Sequence, residues 1–598
     1  MPLIRNKYYS WAKIILLSII IGVTSGIVAI VFDLMLNLYS KIALENLAGY
    51  SPPRPEGDAQ LTFTKRINTT LLAIVITLGG LISGVLVYSL APEAEGHGTD
   101  SAIAAFHRFN GIIRKRVPLI KLISCIFVIG SGGSAGREGP MAQIGAGVGT
   151  LIADILHLGA KMRRMALVTG IGAGIGTIFK APLGGALFGV EVLYKKDFEI
   201  EALIPAIVAS VIGYSIFGFF TGYRHIFPVP SVKFKNPIEL VFYAILGVTT
   251  GILGLIYVKT FYYTRSLFSR IKIPNYFKPA IGGLIVGIIA MLFPQITEMG
   301  YGWITLFINE KYVVAYINGK WIITNLWYIT FIMLVFLAFL KIIATSFTVG
   351  TGGSGGVFAP GLFIGASIGA ALGILFVNLL PGAIADRYSF LVSMTIIGMM
   401  SFFGGVSKSP IAVMIMVSEM TGSYELLAPS MLATTLSYLI TGSNTIYHEQ
   451  VDTRESSPAH IHDYIILKKI IVEDIMRRDI PALSPDTSSS EALNLMALYA
   501  LRGLPVIKDG KIVGMVSYED IKVKVDPASM NKVKVKDVMT KKLVVTHPEE
   551  TVYDALIKLL EHDVAQLPVV DRNSKLIGII TRKDIRKAYD LLLSKYVR

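Results

Sequence analysis

The stretch 130–140 reads Gly-Ser-Gly-Gly-Ser-Ala-Gly-Arg-Glu-Gly-Pro and lies between two apolar segments, 118–129 and 141–158. Its glycines leave several backbone N–H groups uncovered, and Pro140 suits the first position of a helix, where an N–H has no helical partner anyway. A helix start favours an anion through its unpaired N–H groups and its dipole. The stretch therefore predicts an anion site. Glu138, which stands beside this helix start, would occupy that site when ionised and leave it when protonated, so that it acts as gate and proton carrier.

The same pattern occurs a second time, because residues 350–360 read Gly-Thr-Gly-Gly-Ser-Gly-Gly-Val-Phe-Ala-Pro. Another pair follows, in which Lys180-Ala181-Pro182 precedes Glu191 and Lys408-Ser409-Pro410 precedes Glu419 at the same interval. Close packing of helices is the alternative explanation for one glycine-rich turn. Two halves with interrupted apolar segments at corresponding positions instead favour an ion site at the membrane midplane.

Composition predicts a protein that crosses a membrane several times. The 598 residues are 53% hydrophobic and 16% charged, and the mean hydropathy is +0.61. The net charge of +15 comes from basic residues in short loops and at helix ends, so no nucleic-acid partner is predicted. The apolar segment 14–36 is too long for a signal peptide. The basic segment 1–13 before it predicts cytoplasmic termini on a multi-pass protein of the cell membrane.

Residues 136–140 and 356–360 resemble two long signatures of the CLC family of chloride channels and transporters. The resemblance extends over about residues 8 to 450 and includes Ala91-Pro92-Glu93-Ala94 and Ser418-Glu419-Met420-Thr421. It implies an all-α polytopic domain with an inverted internal repeat and broken helices, in a bilayer. It also implies a homodimer with one pathway per subunit, for which the apolar segment 203–219 resembles the interface.

The resemblance implies permeation of chloride or a similar monovalent anion, with no enzymatic activity and no required cofactor. Backbone N–H groups at the two helix starts and one tyrosine hydroxyl would hold the anion, which points to Arg137, Gly139, Val357, Phe358, Ala359 and Tyr447. Segments outside this pattern are assigned no chemistry. Residues 43–66 are predicted to be a polar connection, and residues 294–320 a solvated loop.

His97 is a departure from the family, which has a serine in this turn whose hydroxyl contacts the anion. Here the turn reads Gly96-His97-Gly98-Thr99-Asp100. An imidazole N–H or the local backbone can donate to an anion, so His97 is a candidate anion ligand. A histidine that only stabilises the turn is the alternative. The preference among monovalent anions stays open.

Two mechanisms are consistent with this site. Exchangers of the family generally combine the counterpart of Glu138 with a second, proton-carrying glutamate, and here that position is Val192. Channels also have a non-ionisable residue there, so a glutamate-gated channel is slightly favoured, with its voltage dependence open. Some exchangers also lack the second carboxylate, so chloride/proton antiport is the alternative. A cation transporter is a distant third, since it would need carboxylates converging at membrane depth.

The composition changes from apolar to charged after residue 449, which predicts a membrane domain at 1–449 and a linker at 450–469. The histidines at 448, 460 and 462 lack metal-site spacing, so a solvated linker without metal is predicted. A second repeat follows, in which Asp474-Ile475-Met476 recurs as Asp537-Val538-Met539 and Leu504-Pro505-Val506 as Leu567-Pro568-Val569. It resembles a pair of soluble α/β CBS domains, at 470–530 and 531–598.

Each CBS unit ends a strand with a hydroxyl-x-x-aspartate motif, Ser517 with Asp520 and Thr581 with Asp584. In that family such a motif can bind an adenosine ribose, so an adenine nucleotide (ATP, ADP or AMP) is a candidate regulatory ligand. The alternative is that the same residues only cap a helix start.

Overall fold

The computed structural model describes residues 2–55, 67–229, 232, 234, 236–317, 320–323, 326–460, 467–468, 470–499, 501–541, 543–562, 564–586 and 588. Contacts divide the chain into two compact units, Met1–Ser457 and Pro458–Arg598.

The first unit is built from helices of unequal length. The first half contains α1 Pro2–Ser40, α2 Thr69–Leu90, α3 Thr99–Arg108, α4 Val117–Gly130, α5 Glu138–Ile155, α6 Ala160–Ile178, α7 Pro182–Glu191 and α8 Leu203–Thr221. The second half contains α9 Glu239–Arg270, α10 Lys278–Ala290, α11 Tyr301–Ile308, α12 Trp327–Val349, α13 Phe358–Leu379, α14 Arg387–Ser407, α15 Pro410–Thr421 and α16 Leu427–Thr441. A hairpin of β1 Val313–Ile317 and β2 Lys320–Ile323 lies between α11 and α12.

Within the described residues, seven helical segments are long and apolar enough to cross a membrane. The bounds of these segments are Ala12–Leu47, Thr69–Leu90, Ile200–Thr221, Glu239–Arg270, Trp327–Val349, Phe358–Leu379 and Arg387–Ser407. Others, such as α4 and α15, are apolar but shorter than a bilayer crossing. The prediction of broken helices is therefore confirmed for the membrane part of the chain.

The two halves pack in the same way, as the predicted repeat requires. Helix α1 packs on α8 as α9 packs on α16, and α5 packs on α6 as α13 packs on α14. Hydrogen bonds to two glutamates also join the halves. The Glu191 carboxylate accepts from the N–H groups of Ile411 and Ala412 at the start of α15, at 3.2 and 2.7 Å. The Glu419 carboxylate accepts in turn from two N–H groups at the start of α7, at 3.1 and 2.7 Å.

A buried lysine fixes the turn before one short helix in each half. Lys121 Nζ donates to the carbonyl oxygens of Ala94 and Gly96, before α3. Lys341 Nζ donates to three carbonyl oxygens of residues 296–298, before α11. Each lysine stands nine residues before its glycine-rich stretch. Helices α3 and α11 are therefore equivalent in the repeat, so their first residues, Thr99 and Tyr301, are equivalent as well.

The structure corrects three local predictions. Helices α5 and α13 begin at Glu138 and Phe358, so Pro140 and Pro360 occupy the third position of the first turn, where the missing N–H is equally harmless. The segment 294–320 is not a solvated loop, since every residue of α11 is buried. The segment 43–66 is also not simply polar, because a π-helix, Lys41–Leu47, and Tyr50 pack into the core. Residues 56–66 lie outside the described residues.

The second unit contains two similar α/β modules. The first has α17 Val472–Ile475, α18 Ser489–Leu498, the antiparallel pair β3 Gly503–Lys508 and β4 Lys511–Ser517, and α19 Tyr518–Lys524. The second has α20 Val535–Val538, α21 Val552–Glu561 and the antiparallel pair β5 Gln566–Val570 and β6 Leu576–Thr581, followed by helical residues 582–586. There are two apolar cores, and each contains the short helix that begins the other module: the first core includes Val535 and Val538 of α20, and the second includes Val472 of α17. Of the linker histidines, His462 lies outside the described residues.

Candidate functional site

The two glycine-rich stretches meet at the centre of the first unit. Gly136 and Gly356 exchange backbone hydrogen bonds, N–H to oxygen, of 2.8 and 2.6 Å in an antiparallel bridge. A Cβ at Gly139 would collide with the carbonyl oxygen of His97. The starts of α5 and α13 and the turn before α3 are therefore in close contact. This arrangement brings the predicted residues of both halves to one place.

The Glu138 side chain is fully buried at this junction. One carboxyl oxygen accepts a hydrogen bond from the Tyr301 hydroxyl. The other, Oε2, is buried without a hydrogen-bond partner among the described residues. The carboxyl group lies so close to Gly136 that a Cβ there would collide with it, and the N–H of Ala359 is also near. Glu138 thus places its carboxyl group where the sequence predicts an anion.

Tyr301 is a residue of this site that the sequence reasoning missed, because it falls in the supposed solvated loop. It is 3% exposed, and its ring packs edge-on against Phe227 at 5.3 Å. The repeat gives a sequence signal for Tyr301, since glycine precedes both Thr99 and Tyr301. The residues before Thr99 and Tyr301, Gly98 and Gly300, have positive φ angles of +85° and +82°, which glycine adopts without strain.

Tyr447 lies at the same junction, and its side chain is 1% exposed. Its ring is 5.4 Å from that of His97 and 6.5 Å from that of Phe403. The Tyr447 hydroxyl forms a hydrogen bond with the Thr99 side chain. Phe358, at the start of α13, packs against Phe403 with tilted rings whose centroids are 4.4 Å apart. At the junction, aromatic rings therefore surround the helix starts and the hydroxyl groups of Thr99 and Tyr447.

His97 is 3% exposed, and its Nε2 lies 3.3 Å from Oδ2 of Asp100. The other ring nitrogen, Nδ1, is buried without a hydrogen-bond partner among the described residues. Asp100 Oδ1 also accepts from the N–H of Glu449 at 3.2 Å. The histidine that stands in place of the serine is thus paired with the carboxylate of Asp100, three residues later.

The Arg137 guanidinium is engaged away from Glu138. It pairs with Asp33 near the end of α1 and donates to the carbonyl oxygen of Ile178. Its cationic group is thus held by a carboxylate, and the backbone of Arg137 is what belongs to the start of α5.

Val192, the position of the absent second glutamate, is buried beside the end of α7. Its N–H bonds to the carbonyl oxygen of Phe188, and its own carbonyl oxygen accepts from Gln450 Nε2 at 2.9 Å. The adjacent Glu191 is committed to the start of α15 and so does not substitute for it at position 192.

Among the described residues, two cavities are lined by residues of the junction. The larger, of about 1290 Å³, is lined by His97, Asp100, Arg108, Arg114 and Arg265 among others. The smaller, of about 330 Å³, is lined by Asp33, Arg137, Glu298 and Tyr301 among others. Val117 lines the larger cavity and Ile129 the smaller one. These residues are at opposite ends of α4, about 18 Å apart at 1.5 Å per residue. The two cavities thus lie toward opposite ends of α4.

In the second unit both predicted nucleotide motifs act as helix caps. Ser517 Oγ accepts from the N–H of Asp520, whose carboxylate accepts from the N–H of Ser517. Thr581 and Asp584 make the same pair of bonds. The Asp584 carboxylate also pairs with Arg477 at 2.8 Å. Burial raises the pKa of Asp520, but hydrogen bonds from Ser517 and Lys524 outweigh it and hold that pKa below its ordinary value.

Comparisons with known proteins agree with this architecture. The family model described as voltage gated chloride channel matches residues 79–442, more than half of the chain. The CBS domain model matches residues 472–525 and 535–591.

The chain is 29% identical over 381 residues to a ClcB-like protein of Ralstonia nicotianae, covering 62% of this chain and 84% of the relative. It is 27% identical over 450 residues to an H(+)/Cl(-) exchange transporter ClcA of Yersinia pestis, covering 73% and 86%. A slow cyanobacterial Cl⁻/H⁺ antiporter has a similar fold, with a TM-score of 0.61, 22% identity and coverage of 73% and 96%. The chain is therefore a multi-pass membrane protein of the CLC anion-transport family, with a pair of CBS domains after its membrane part.

Proposed function

We propose that this protein conducts chloride or a similar monovalent anion through one Glu138-gated pathway in each subunit. The observation that supports it best is the Glu138 carboxyl group beside the starts of α5 and α13, with Oε2 unpartnered among the described residues. An anionic group in that place competes with a permeating anion for the same N–H groups and dipoles. Protonation weakens the hold on the carboxyl group, and the anion takes its place.

The anion ligands are the backbone N–H groups at residues 137–139 and 357–359 and the Tyr447 hydroxyl. Helix starts and hydroxyls hold a monovalent anion weakly enough to release it, as conduction requires. Arg137 is paired with Asp33, so its full positive charge does not trap the ion at the centre.

The sidedness follows from charge. The basic segment Arg114-Lys115-Arg116 precedes α4, and Arg114 lines the larger cavity. Short basic loops face the cytoplasm, so the larger cavity is the cytoplasmic entrance and the smaller one the external entrance. Both termini are then cytoplasmic. A homodimer fits the exposed apolar side chains of α8, which include Ile204 and Val211.

Chloride/proton exchange is the second candidate, favoured by the similarity to the H(+)/Cl(-) exchange transporter of Yersinia pestis. Glu138 would then carry protons as well as gate the anion. The valine at position 192 and the engagement of Glu191 count against the usual second carboxylate.

The test is reconstitution in liposomes under a chloride gradient, with anion flux and proton movement recorded together. Chloride flux without proton movement supports a channel, and proton uptake driven uphill by chloride supports an exchanger. An absence of anion flux from a correctly folded protein overturns the proposal in both forms.

A further inference from the structure

We infer that the His97–Asp100 pair is a proton-binding site that couples protonation on the side of the larger cavity to occupancy of the adjacent anion site. The inference rests on the proposed function and deepens it. It concerns a different titratable group from the Glu138 gate.

The position of the His97 ring carries the first step. The ring is buried at the junction, 5.4 Å from the ring of Tyr447 and 6.0 Å from that of Phe261. His97 and Asp100 both line the larger cavity. The pair therefore stands between solvent in that cavity and the residues around the anion site.

The two ring nitrogens carry the second step. Nε2 is committed to Asp100 at 3.3 Å, while Nδ1 is buried without a hydrogen-bond partner among the described residues. In the neutral ring Nε2–H donates to the carboxylate, and Nδ1 presents a lone pair that repels an anion. On protonation an N–H bond forms at Nδ1, with the proton taken from hydronium in the cavity, which is left as water.

A buried N–H donor needs an acceptor, and an anion at the junction supplies one. The charged ring and the anion then form a charge-assisted hydrogen bond. Protonation of His97 tightens anion binding, and by linkage a bound anion favours the protonated ring to the same degree. The Asp100 carboxylate stabilises the imidazolium and fixes which nitrogen stays free.

Other titratable and charged groups face this pair from every side. Lys121 on α4 reaches the same turn and donates to the carbonyl oxygen of Gly96 at 2.6 Å. Arg265 on α9 and His448 after α16 interact electrostatically with the pair. Glu449 donates its N–H to Asp100, and Glu95 interacts with Lys121 and bonds Arg265. Tyr447 interacts with Asp100 and with Glu138. Among these, His448 and Glu138 are the titratable groups that the test has to separate from His97.

The test removes the Glu138 contribution first. In full-length Glu138→Gln protein, chloride binding is measured by titration calorimetry at about pH 5.5 and about pH 8, a range across which histidine changes charge. We expect binding about tenfold tighter at the lower pH, the size of one strong polar contact. His97→Ser in this background keeps a hydroxyl donor and should make the affinity the same at both pH values.

Two further variants make the result specific. Asp100→Asn keeps the His97 ring but removes the neighbouring carboxylate that stabilises the charged ring. We expect the pH effect on chloride affinity to fall from about tenfold to about threefold or less, which is roughly half of the coupling free energy. His448→Gln is the matched control, since its ring lies nearby, stacked on Tyr262, and it should keep the full effect.

An unchanged pH effect in His97→Ser, or its loss in His448→Gln alone, overturns the inference. If His97→Ser is not monodisperse, the Asp100→Asn result decides, and a full pH effect in that variant overturns it. Chloride binding that is equal at both pH values in the Glu138→Gln parent overturns the inference while leaving the proposed function intact. An absence of chloride binding in this parent overturns both.

Discussion

At the scale of single residues, the site depends on one buried carboxyl group and on the donors that hold it. Glu138 is buried with an O–H donor on one oxygen and none on the other among the described residues. The N–H of Ala359 is also near, so the hold on this carboxyl group depends on its charge.

Replacement of Glu138 should open the pathway permanently. A neutral or short side chain in Glu138→Gln or Glu138→Ala no longer competes with the anion for the helix starts. We expect anion flux in liposomes that does not depend on external pH in either variant. Flux that keeps the wild-type pH dependence would show that Glu138 is not the gate.

Tyr301→Phe should shift the external pH dependence of flux toward higher pH by about one unit. The hydroxyl donates to the ionised carboxyl group and so favours the closed state, and a hydrogen bond to a charged group is typically worth that much. Flux measured against external pH checks it.

Tyr50→Phe is the control for this change. The Tyr50 hydroxyl is also buried and bonds the carbonyl oxygen of Pro294 at 3.1 Å in the turn before α11, away from Glu138. It should leave the pH profile in place. In a Glu138→Gln background Tyr301→Phe should have no further effect, and a residual shift there would contradict a role through Glu138.

At the scale of elements, what the sequence could predict depends on how local the cause is. The starts of α5, α7, α13 and α15 follow from glycine and proline, which act within a few residues. The pairing of Glu191 with α15 and of Glu419 with α7 was beyond reach, because the equal intervals give no indication of which helix start each carboxylate meets. Helix α11 was missed since its neighbours are charged, and only tertiary packing buries it.

The surface of the second unit offers a pH-dependent element. Hydrogen bonds from Lys536 and Lys534 lower the pKa of Asp486 from its ordinary 3.8 to about 2. The ionised form therefore stabilises the folded unit above about pH 4, and this contribution is lost as the pH falls through 2. Asp486→Asn should lower the melting temperature of the second unit slightly near neutral pH, since exposed ion pairs contribute little.

Thermal unfolding of that segment at several pH values is the measurement. The difference between wild type and Asp486→Asn should vanish below about pH 2, where the native carboxyl group is protonated as well. A constant difference across this range would mean that the lysine pairing has no effect on stability.

At the scale of the whole molecule, the sequence was sufficient for the family and for the two-part architecture. The repeated stretches at 130–140 and 350–360 and the repeated motifs of the second unit are long-range regularities that one chain displays by itself. The contacts of His97 with Asp100 and of Glu138 with Tyr301 depend on how side chains pack, which the repeated motifs do not specify. The repeat relates Tyr301 to Thr99 but does not indicate the partner of either side chain, so the structure was needed.

An adenine nucleotide at the CBS pair should modulate flux severalfold at most. A ligand shifts a conformational equilibrium only by its differential affinity for the two states, about 1–3 kcal/mol in typical allosteric coupling. We expect Asp584→Ala to remove the nucleotide effect and to leave basal flux unchanged. Calorimetry with ATP, ADP and AMP, together with flux measurements, checks this. An absence of binding heat would leave Thr581 and Asp584 as helix-capping residues alone.

The mutual hydrogen bonds between Gly136 and Gly356 have a consequence for how such a chain can arise. Each glycine presents an N–H and a carbonyl oxygen that only the opposite half satisfies. A polypeptide of half the length would leave both groups exposed at its centre and would carry half a pathway. To conduct, it would have to form a dimer with a second copy in the opposite orientation in the membrane. Duplication and fusion of the gene would replace this association by a covalent link between the two halves.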